Sequence, residues 1–180
     1  MNPTMTLQSI RDKSPCADGW KKLLASLGYP NGAFDPARMV SLGDIAGSND
    51  AADALWCIRA LDWSDIAVRR AVIAGAVLPA VKRVSAHTKD KRVFEAIEII
   101  ERWCAGDNKA DLNKARKLAH AADAAAAAAY AAYAADAAAA FAYAAYAADA
   151  AAYAAYPAND IKREKEQQRA DIIAAFPPIN

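Results

Sequence analysis

The stretch that decides the fold runs from Ala121 to Asn159 and reads AADAAAAAAYAAYAADAAAAFAYAAYAADAAAYAAYPAN. It consists almost entirely of Ala, Tyr and Asp, and its aspartates recur every 13 residues, at Asp123, Asp136 and Asp149. Ala has the highest helix propensity of all residues, because fixing it in a helix costs no side-chain entropy. We therefore predict that this alanine-rich tract is helical and that Pro157 ends the helix.

The 13-residue period does not keep the tyrosines on one side of a helix. At about 100° per residue, each repeat rotates the pattern by about 220°. Tyr130 and Tyr133 therefore share one side, whereas Tyr143 and Tyr146 fall mostly on the opposite side. Either the helix has different neighbours along its length, or it breaks near Asp136, where Asp would serve as an N-cap.

The length of the tract bears on this choice. One helix from Ala119 to Tyr156 would be about 57 Å long, whereas a compact domain of this size has a diameter of about 40 Å. Such a helix would project, make the molecule elongated, or pair with a second copy in a homodimer. The stretch from Ala121 to Tyr156 contains no Gly, Pro or Asn to form a turn. We therefore favour one long helix, straight or bent, over a break near Asp136.

Helical spacing recurs along the rest of the chain, and no segment alternates with period 2, so no strand is predicted. The sequence predicts an all-α fold, a helical bundle in which small Ala side chains let the long helix pack closely against its neighbours. We expect a single domain over residues 1–180. It would comprise short helices and irregular structure in 1–47, core helices in 48–106, the alanine-rich helix in 107–156 and a C-terminal helix in 157–176.

Several helix boundaries follow from capping signals. Short helices are predicted over Thr6–Lys13 and Ala17–Ser26, and one further turn after Asp35-Pro36. Ser48 is the predicted N-cap of the next helix. The segment DWSDIAVRRAVIAGAVLPAVKRVSA, residues 62–86, reads as a core helix that Pro79 should kink.

The clearest helix is DKRVFEAIEIIERWCAGD, with Asp90 as N-cap and Gly106 after its end. Its apolar stripe comprises Val93, Ala96, Ile97, Ile100, Trp103 and Cys104. Glu98 and Arg102 are spaced to pair with each other.

The next helix should open at Asp107 or Asn108. Asn159 should cap a last helix whose charged first half is solvated, and the final residues PPIN should be a tail.

Bulk composition excludes several classes of function. The net charge of +1 implies no strong attraction to nucleic acid or membranes. AVIAGAVLPAV is too short to span a bilayer, and the aspartates make the alanine-rich tract unsuitable. The first residues lack the apolar core of a signal peptide. Three widely separated cysteines indicate reduced thiols in the cytoplasm, which we expect to be small buried apolar groups.

Two surfaces are candidates for binding. If the core helix and its successor pack antiparallel, Arg83, His87, Lys89, Lys91 and Arg92 form a basic end. This end would be either a solvated turn or a site for phosphate groups or an acidic protein surface. The second candidate is an aromatic and acidic face that either fixes helix register by Tyr–Asp hydrogen bonds or binds a ligand: Tyr130, Tyr133, Tyr143, Tyr146, Asp136 and Asp149.

Motifs for catalysis or cofactor binding are not found. The two histidines, His87 and His120, have no metal-ligand spacing with the cysteines. No Gly-rich loop follows a strand, and no nucleophile, histidine and acid form a local motif. We therefore predict a protein that is not an enzyme and that needs no metal or cofactor.

Part of the chain resembles a known family. VLPAVKR (Val77–Arg83), KDKRVFEAIEIIERWCAGD (Lys89–Asp107), the alanine-rich tract and KREKEQQRADII resemble the immunity-protein-5-like proteins of bacteria and their phages. The residues that fit this pattern are Asp90, Lys91, Arg92, Ala96, Ile97, Glu98, Trp103 and Gly106. The chain departs from the pattern at Val93, which replaces a Pro, and at Lys82, which stands where an acid is common.

The resemblance covers about Val77–Ile173 and implies a small, helical, non-enzymatic protein from a phage or a bacterial conflict locus. The leading hypothesis is a protein in the cytoplasm of a bacterial host that inhibits a host defence or toxin component by direct contact. The alternative is a helical sponge that sequesters an anionic, nucleotide-type ligand between Tyr and Arg side chains.

Overall fold

Helices form most of the protein, for which a computed structural model describes residues 1–85, 89–121 and 158–179. The predicted all-α class is confirmed, because these helices pack against one another around one hydrophobic core. The alanine-rich tract, residues 122–157, lies outside the described residues, so its course remains a prediction. The helices are α1 Leu7–Arg11, α2 Ala17–Ser26, α3 Leu42–Ser48, α4 Ala51–Cys57, α5 Ile66–Val72, α6 Leu78–Ser85, α7 Lys91–Cys104, α8 Leu112–Ala121 and α9 Ala158–Ala175.

The prediction that the chain has no strand was wrong. Strands β1 (Thr4–Thr6) and β2 (Met39–Ser41) form an antiparallel pair in which Met5 lies opposite Val40. Both of these side chains are buried. A strand of three residues is too short to show the alternation by which a strand is recognised in a sequence.

The helices that follow these strands start at capping residues. The Thr6 hydroxyl accepts the Ser9 N–H in the first turn of α1, and the Ser41 hydroxyl accepts the Asp44 N–H in the first turn of α3. Ser41 and Asp44 together form a complete capping box. Helix α3 was not predicted. The predicted N-cap at Ser48 was wrong, because Ser48 ends α3 and Asp50 caps α4, which a 3-10 turn (Ile58–Ala60) extends.

The long core helix has an irregular turn just before Pro79, the residue that was predicted to kink it. Helices α5 and α6 are joined without a gap by a π-helical turn over Ile73–Val77, in which the Leu78 N–H bonds to the Ile73 carbonyl. Proline has no N–H to offer the carbonyl of Gly75, and its ring would collide with that carbonyl in a regular α-helix. The wider turn provides room for the ring.

Helix α7 begins after Asp90 and is followed by Gly106 with φ of +104°, as predicted. Ile99 joins its buried face, whereas Cys104 is only partly buried. Two other predictions were wrong. Arg102 pairs with Asp107 and not with Glu98, and α8 starts at Leu112, where the Asp111 carboxylate accepts the Lys114 N–H.

The C-terminal residues are part of the core. Phe176 is 2% exposed and packs beside Gly75, and its backbone crosses closely over Gly43. The Asn2 amide donates to the Pro177 carbonyl, and the Ile179 N–H donates to Asp44. Residues 177–179, which were predicted to belong to a tail, are therefore docked against the fold.

The described helices are not suited to a bilayer: none of them is both long and apolar enough to cross one. The cysteines differ in exposure, since Cys57 is buried, Cys104 partly buried and Cys16 exposed. The expectation that all three are buried was therefore wrong for Cys16.

Candidate functional site

Helices α7 and α8 form a hairpin, and its register places the candidate site. After Gly106 the chain is held beside the last turn of α7 by the Arg102–Asp107 ion pair. A hydrogen bond from the Ala110 N–H to the Asp107 carbonyl closes the turn. Lys114 then pairs with Glu95 at 2.7 Å. Helix α8 therefore returns along α7 in the opposite direction, toward the first turn of α7.

This register also sets the positions of two lysines. Lys91 lies one turn before Glu95 on the same face of α7, and Lys117 lies one turn after Lys114 on the same face of α8. Because the helices are antiparallel and Glu95 pairs with Lys114, Lys91 and Lys117 both lie beyond that ion pair, toward the same end of the hairpin. Both are exposed, and within the described ranges neither forms an ion pair.

Lys89, Lys91 and Arg92 of the predicted basic end are joined by Lys117, and from here on the basic end means these four residues. The four side chains are exposed. Arg92 pairs with Asp90 at 2.6 Å, so this acid neutralises one of the cations. The basic end therefore carries a local excess of positive charge on a chain whose net charge is only +1.

An exposed aromatic side chain adjoins the basic end. Phe94 lies three residues after Lys91 on the same side of α7 and is 46% exposed. Aromatic side chains are enriched at protein contact sites, where charged side chains form the solvent-accessible rim around them. The predicted apolar stripe of α7 already leaves Phe94 out, so helix phase was the signal that could have identified it as an exposed aromatic residue.

Arg83, which was predicted to belong to the basic end, is turned toward α9. Its guanidinium makes two hydrogen bonds to Glu164, of 2.9 and 2.7 Å, and one of 2.7 Å to Asp171. Burial alone would lower the pKa of Arg83, but the hydrogen bonds to these carboxylates outweigh it and raise the pKa. Arg83 is thus a structural residue that fixes α9 to α6.

The first half of α9 is largely solvated, as predicted: Lys162, Arg163 and Glu166 are exposed, and the exception is Glu164. Its side chain is 6% exposed, and Gln168 one turn later is 3% exposed. Arg169, on the same helix, donates to the carbonyls of Ala46 and Gly47. Arg83 of α6 binds Glu164 and the α3 carbonyls bind Arg169, so these two side chains attach α9 to the rest of the fold.

Other cations in the middle of the chain also have partners. Lys82 pairs with Glu101 at 2.7 Å. Arg70 donates to Asn108 and stacks on the Trp103 indole. In the described part of the chain Lys91 and Lys117 form no ion pair, and the same holds for Lys89 and Lys109.

The remaining candidate residues lie outside the described residues: His87, Tyr130, Tyr133, Tyr143, Tyr146, Asp136 and Asp149. Whether the aromatic and acidic face exists is therefore untested. Among the residues that are described, no group of three His, Cys, Asp or Glu side chains is arranged to hold a metal ion.

Comparison with known proteins adds no relative. No family model, no curated protein and no solved structure matches this chain. The resemblance to the immunity-protein-5-like proteins stays a prediction from the sequence.

Proposed function

We propose that the protein is a non-enzymatic phage or prophage protein that inhibits a bacterial defence or toxin component by direct contact. The basic end is its contact surface, and the partner presents an acidic patch there. The observation that carries this proposal is that the exposed Lys91 and Lys117, toward the same end of the α7–α8 hairpin, form no ion pair in the described part of the chain. The resemblance over Val77–Ile173 supplies the class of partner.

The chemistry of the basic end supports a macromolecular contact. Charged groups at the rim of an interface steer association, and a partly buried aromatic side chain supplies much of the binding energy. Phe94 would insert into an apolar recess of the partner, while Lys91 and Lys117 meet its carboxylates. Such a contact weakens as salt concentration rises, because exposed charges are screened.

Affinity capture from a bacterial lysate with quantitative mass spectrometry tests this proposal. The variant Lys91→Glu/Lys117→Glu reverses both charges at the basic end. The matched control, Lys21→Glu/Lys22→Glu, makes the same change in net charge at two exposed positions of α2. A partner recovered with the native chain and the control, but reduced at least tenfold with the variant and with Phe94→Ala, is the expected result.

Equal recovery of every captured protein by the native chain and the Lys91→Glu/Lys117→Glu variant would contradict the proposal. The nucleotide sponge is tested on the same proteins by thermal denaturation with a panel of nucleotides. A rise of several degrees in Tm with one nucleotide would favour sequestration over protein contact. Inhibition of the purified partner by the native chain completes the test of function.

A further inference from the structure

A second site lies in a pocket between α2 and α4. The pocket holds about 70 Å³ of water-accessible space. Its walls are mainly apolar and are formed by Ile10, Pro15, Trp20, Leu23, Ile45 and Trp56. Cys16, which is exposed, also lines the pocket, so the space reaches the protein surface.

The polar end of the pocket offers acceptors. Among its described lining residues Asp53 is the one carboxylate, and no Lys, Arg or His is present. The Asn49 amide nitrogen donates to Asp53 Oδ2 at 2.7 Å and to the Gly19 carbonyl at 2.9 Å, so both of its N–H groups are used. A carboxylate can accept several hydrogen bonds, and Asp53 therefore has acceptor capacity left for a ligand.

Gly19 keeps the space beside this carboxylate open. A Cβ at Gly19 would lie 2.9 Å from Asp53 Oδ2 and 3.0 Å from Cys16 Sγ. Gly19 lies within α2, where glycine is less favourable than alanine. The residue thus leaves a gap next to Asp53 that even a methyl group would fill.

The two tryptophans are held in place as walls. The Arg11 guanidinium lies 5.7 Å from the Trp20 ring centre, and Phe34 meets the same indole edge-on at 5.2 Å. The Arg59 guanidinium stacks on Trp56 at 4.5 Å. Neither arginine lines the pocket. Aromatic walls around a carboxylate favour an organic cation, which gains from both.

We propose that this pocket binds a small organic cation: a protonated primary amine with a short apolar or aromatic body. The ammonium group donates to Asp53, and the body lies against Trp20 and Trp56. The space is roughly half that of an apolar cavity that binds benzene, about 150 Å³, so only the ammonium group and a few carbons are enclosed and the rest of the body lies at the opening. This site is independent of the basic end and of the function proposed for it.

Titration of ¹⁵N-labelled protein with isobutylamine and benzylamine tests the proposal. Isobutanol and benzyl alcohol are the neutral controls, and isobutyrate and benzoate the anionic ones. We expect the indole N–H signals of Trp20 and Trp56 to shift with a Kd of about 1 mM, while those of Trp63 and Trp103 serve as internal references. The alcohols should bind at least tenfold more weakly and the acids not at all.

Two variants separate the pocket from non-specific binding. Gly19→Ala meets only the ends of flexible side chains, so it should fold and lose amine binding at least tenfold. Asp53→Asn should remove the preference for amines over alcohols. Gly47→Ala is the control, since a Cβ there has no neighbour within 4 Å.

Three results would overturn the assignment: amines that shift neither indole signal, alcohols that bind as well as amines, or undiminished binding by Gly19→Ala. The last of these stays informative even if Asp53→Asn does not fold. Each result also leaves the capture experiment on the basic end unaffected, so the two proposals fail separately.

Discussion

Arg83 on α6 and Glu164 on α9 are 81 residues apart in the chain, yet the two side chains are joined by two short hydrogen bonds. The Glu164 side chain is 6% exposed and that of Arg83 30% exposed. A charge buried to this extent requires its partner, because the low-dielectric interior cannot solvate it. The pair therefore makes the attachment of α9 specific to one position on α6.

Removing both partners of this pair should destabilise the protein by less than the sum of the two single removals. We expect Arg83→Met to lower the free energy of unfolding by about 3 kcal/mol, since it leaves the Glu164 carboxylate buried and unpaired. The double variant Arg83→Met/Glu164→Leu should lose less than the sum of the single variants. Urea denaturation of the four proteins measures this coupling, and additivity within about 0.5 kcal/mol would argue against it.

Gly43 should tolerate no side chain. A Cβ at this position would lie 1.9 Å from the backbone oxygen of Phe176, so Gly43→Ala must displace the docked C-terminal segment. We expect a loss of about 2–4 kcal/mol in unfolding free energy, in the range of severe packing changes. Gly47→Ala in the same helix is the control and should be neutral or stabilising, because its Cβ faces open space. Equal stabilities of the two variants would exclude the contact.

Gly75 and Phe176 should be energetically coupled. A Cβ at Gly75 would lie 2.7 Å from the Phe176 ring and 2.7 Å from the Ala175 Cβ. Gly75→Ala should therefore destabilise the protein, and Phe176→Leu should partly restore stability in the Gly75→Ala background while it destabilises the native chain. Thermal denaturation of the four proteins gives the coupling. The absence of any rescue would place the clash at Ala175 instead.

The three thiols should react in a fixed order. Burial, with a smaller contribution from Asp53, raises the pKa of Cys57 to about 12, and burial raises the pKa of Cys104 to about 11. At pH 8 a disulfide reagent such as DTNB should label exposed Cys16 first, Cys104 far more slowly, and Cys57 only when the protein unfolds. Mass spectrometry of tryptic peptides over time measures the order.

The same pKa values predict how stability depends on pH. In the unfolded chain the thiols ionise near their ordinary value of 9.0, whereas in the folded chain Cys57 and Cys104 stay neutral to higher pH. The unfolded state therefore loses protons first, and stability should decline as the pH rises above about 9. Cys57→Ala/Cys104→Ala should show a smaller decline than the native chain. An unchanged decline would assign it to other groups.

Local signals were sufficient for α2 and α7. Asp90 and Gly106 bound a segment with a continuous apolar stripe, so chain-local physics determines where α7 starts and ends. They were insufficient for α3, which contains Gly43 and Gly47 within seven residues. That helix depends on its capping box and on the contact with Phe176, which comes from the far end of the chain.

The positive charge of the candidate site was predictable from the sequence, but which residues form the site was not. Lys89, Lys91 and Arg92 are adjacent in sequence, and their clustering needed no structure. Arg83 was assigned wrongly because its acidic partners lie 81 and 88 residues away. Lys117 joins the site through the register of α7 and α8, which depends on the Glu95–Lys114 pair.

The π-helical turn before Pro79 sets the direction in which the side chains of α6 point relative to those of α5. Each residue in a helix advances the side-chain direction by about 100°. Deleting Ala74 would rotate α6 by that angle relative to α5, and Arg83 would no longer point at Glu164. Pro79 and the additional residue in the π-helical turn thus orient α6 so that Arg83 faces Glu164 of the C-terminal helix α9.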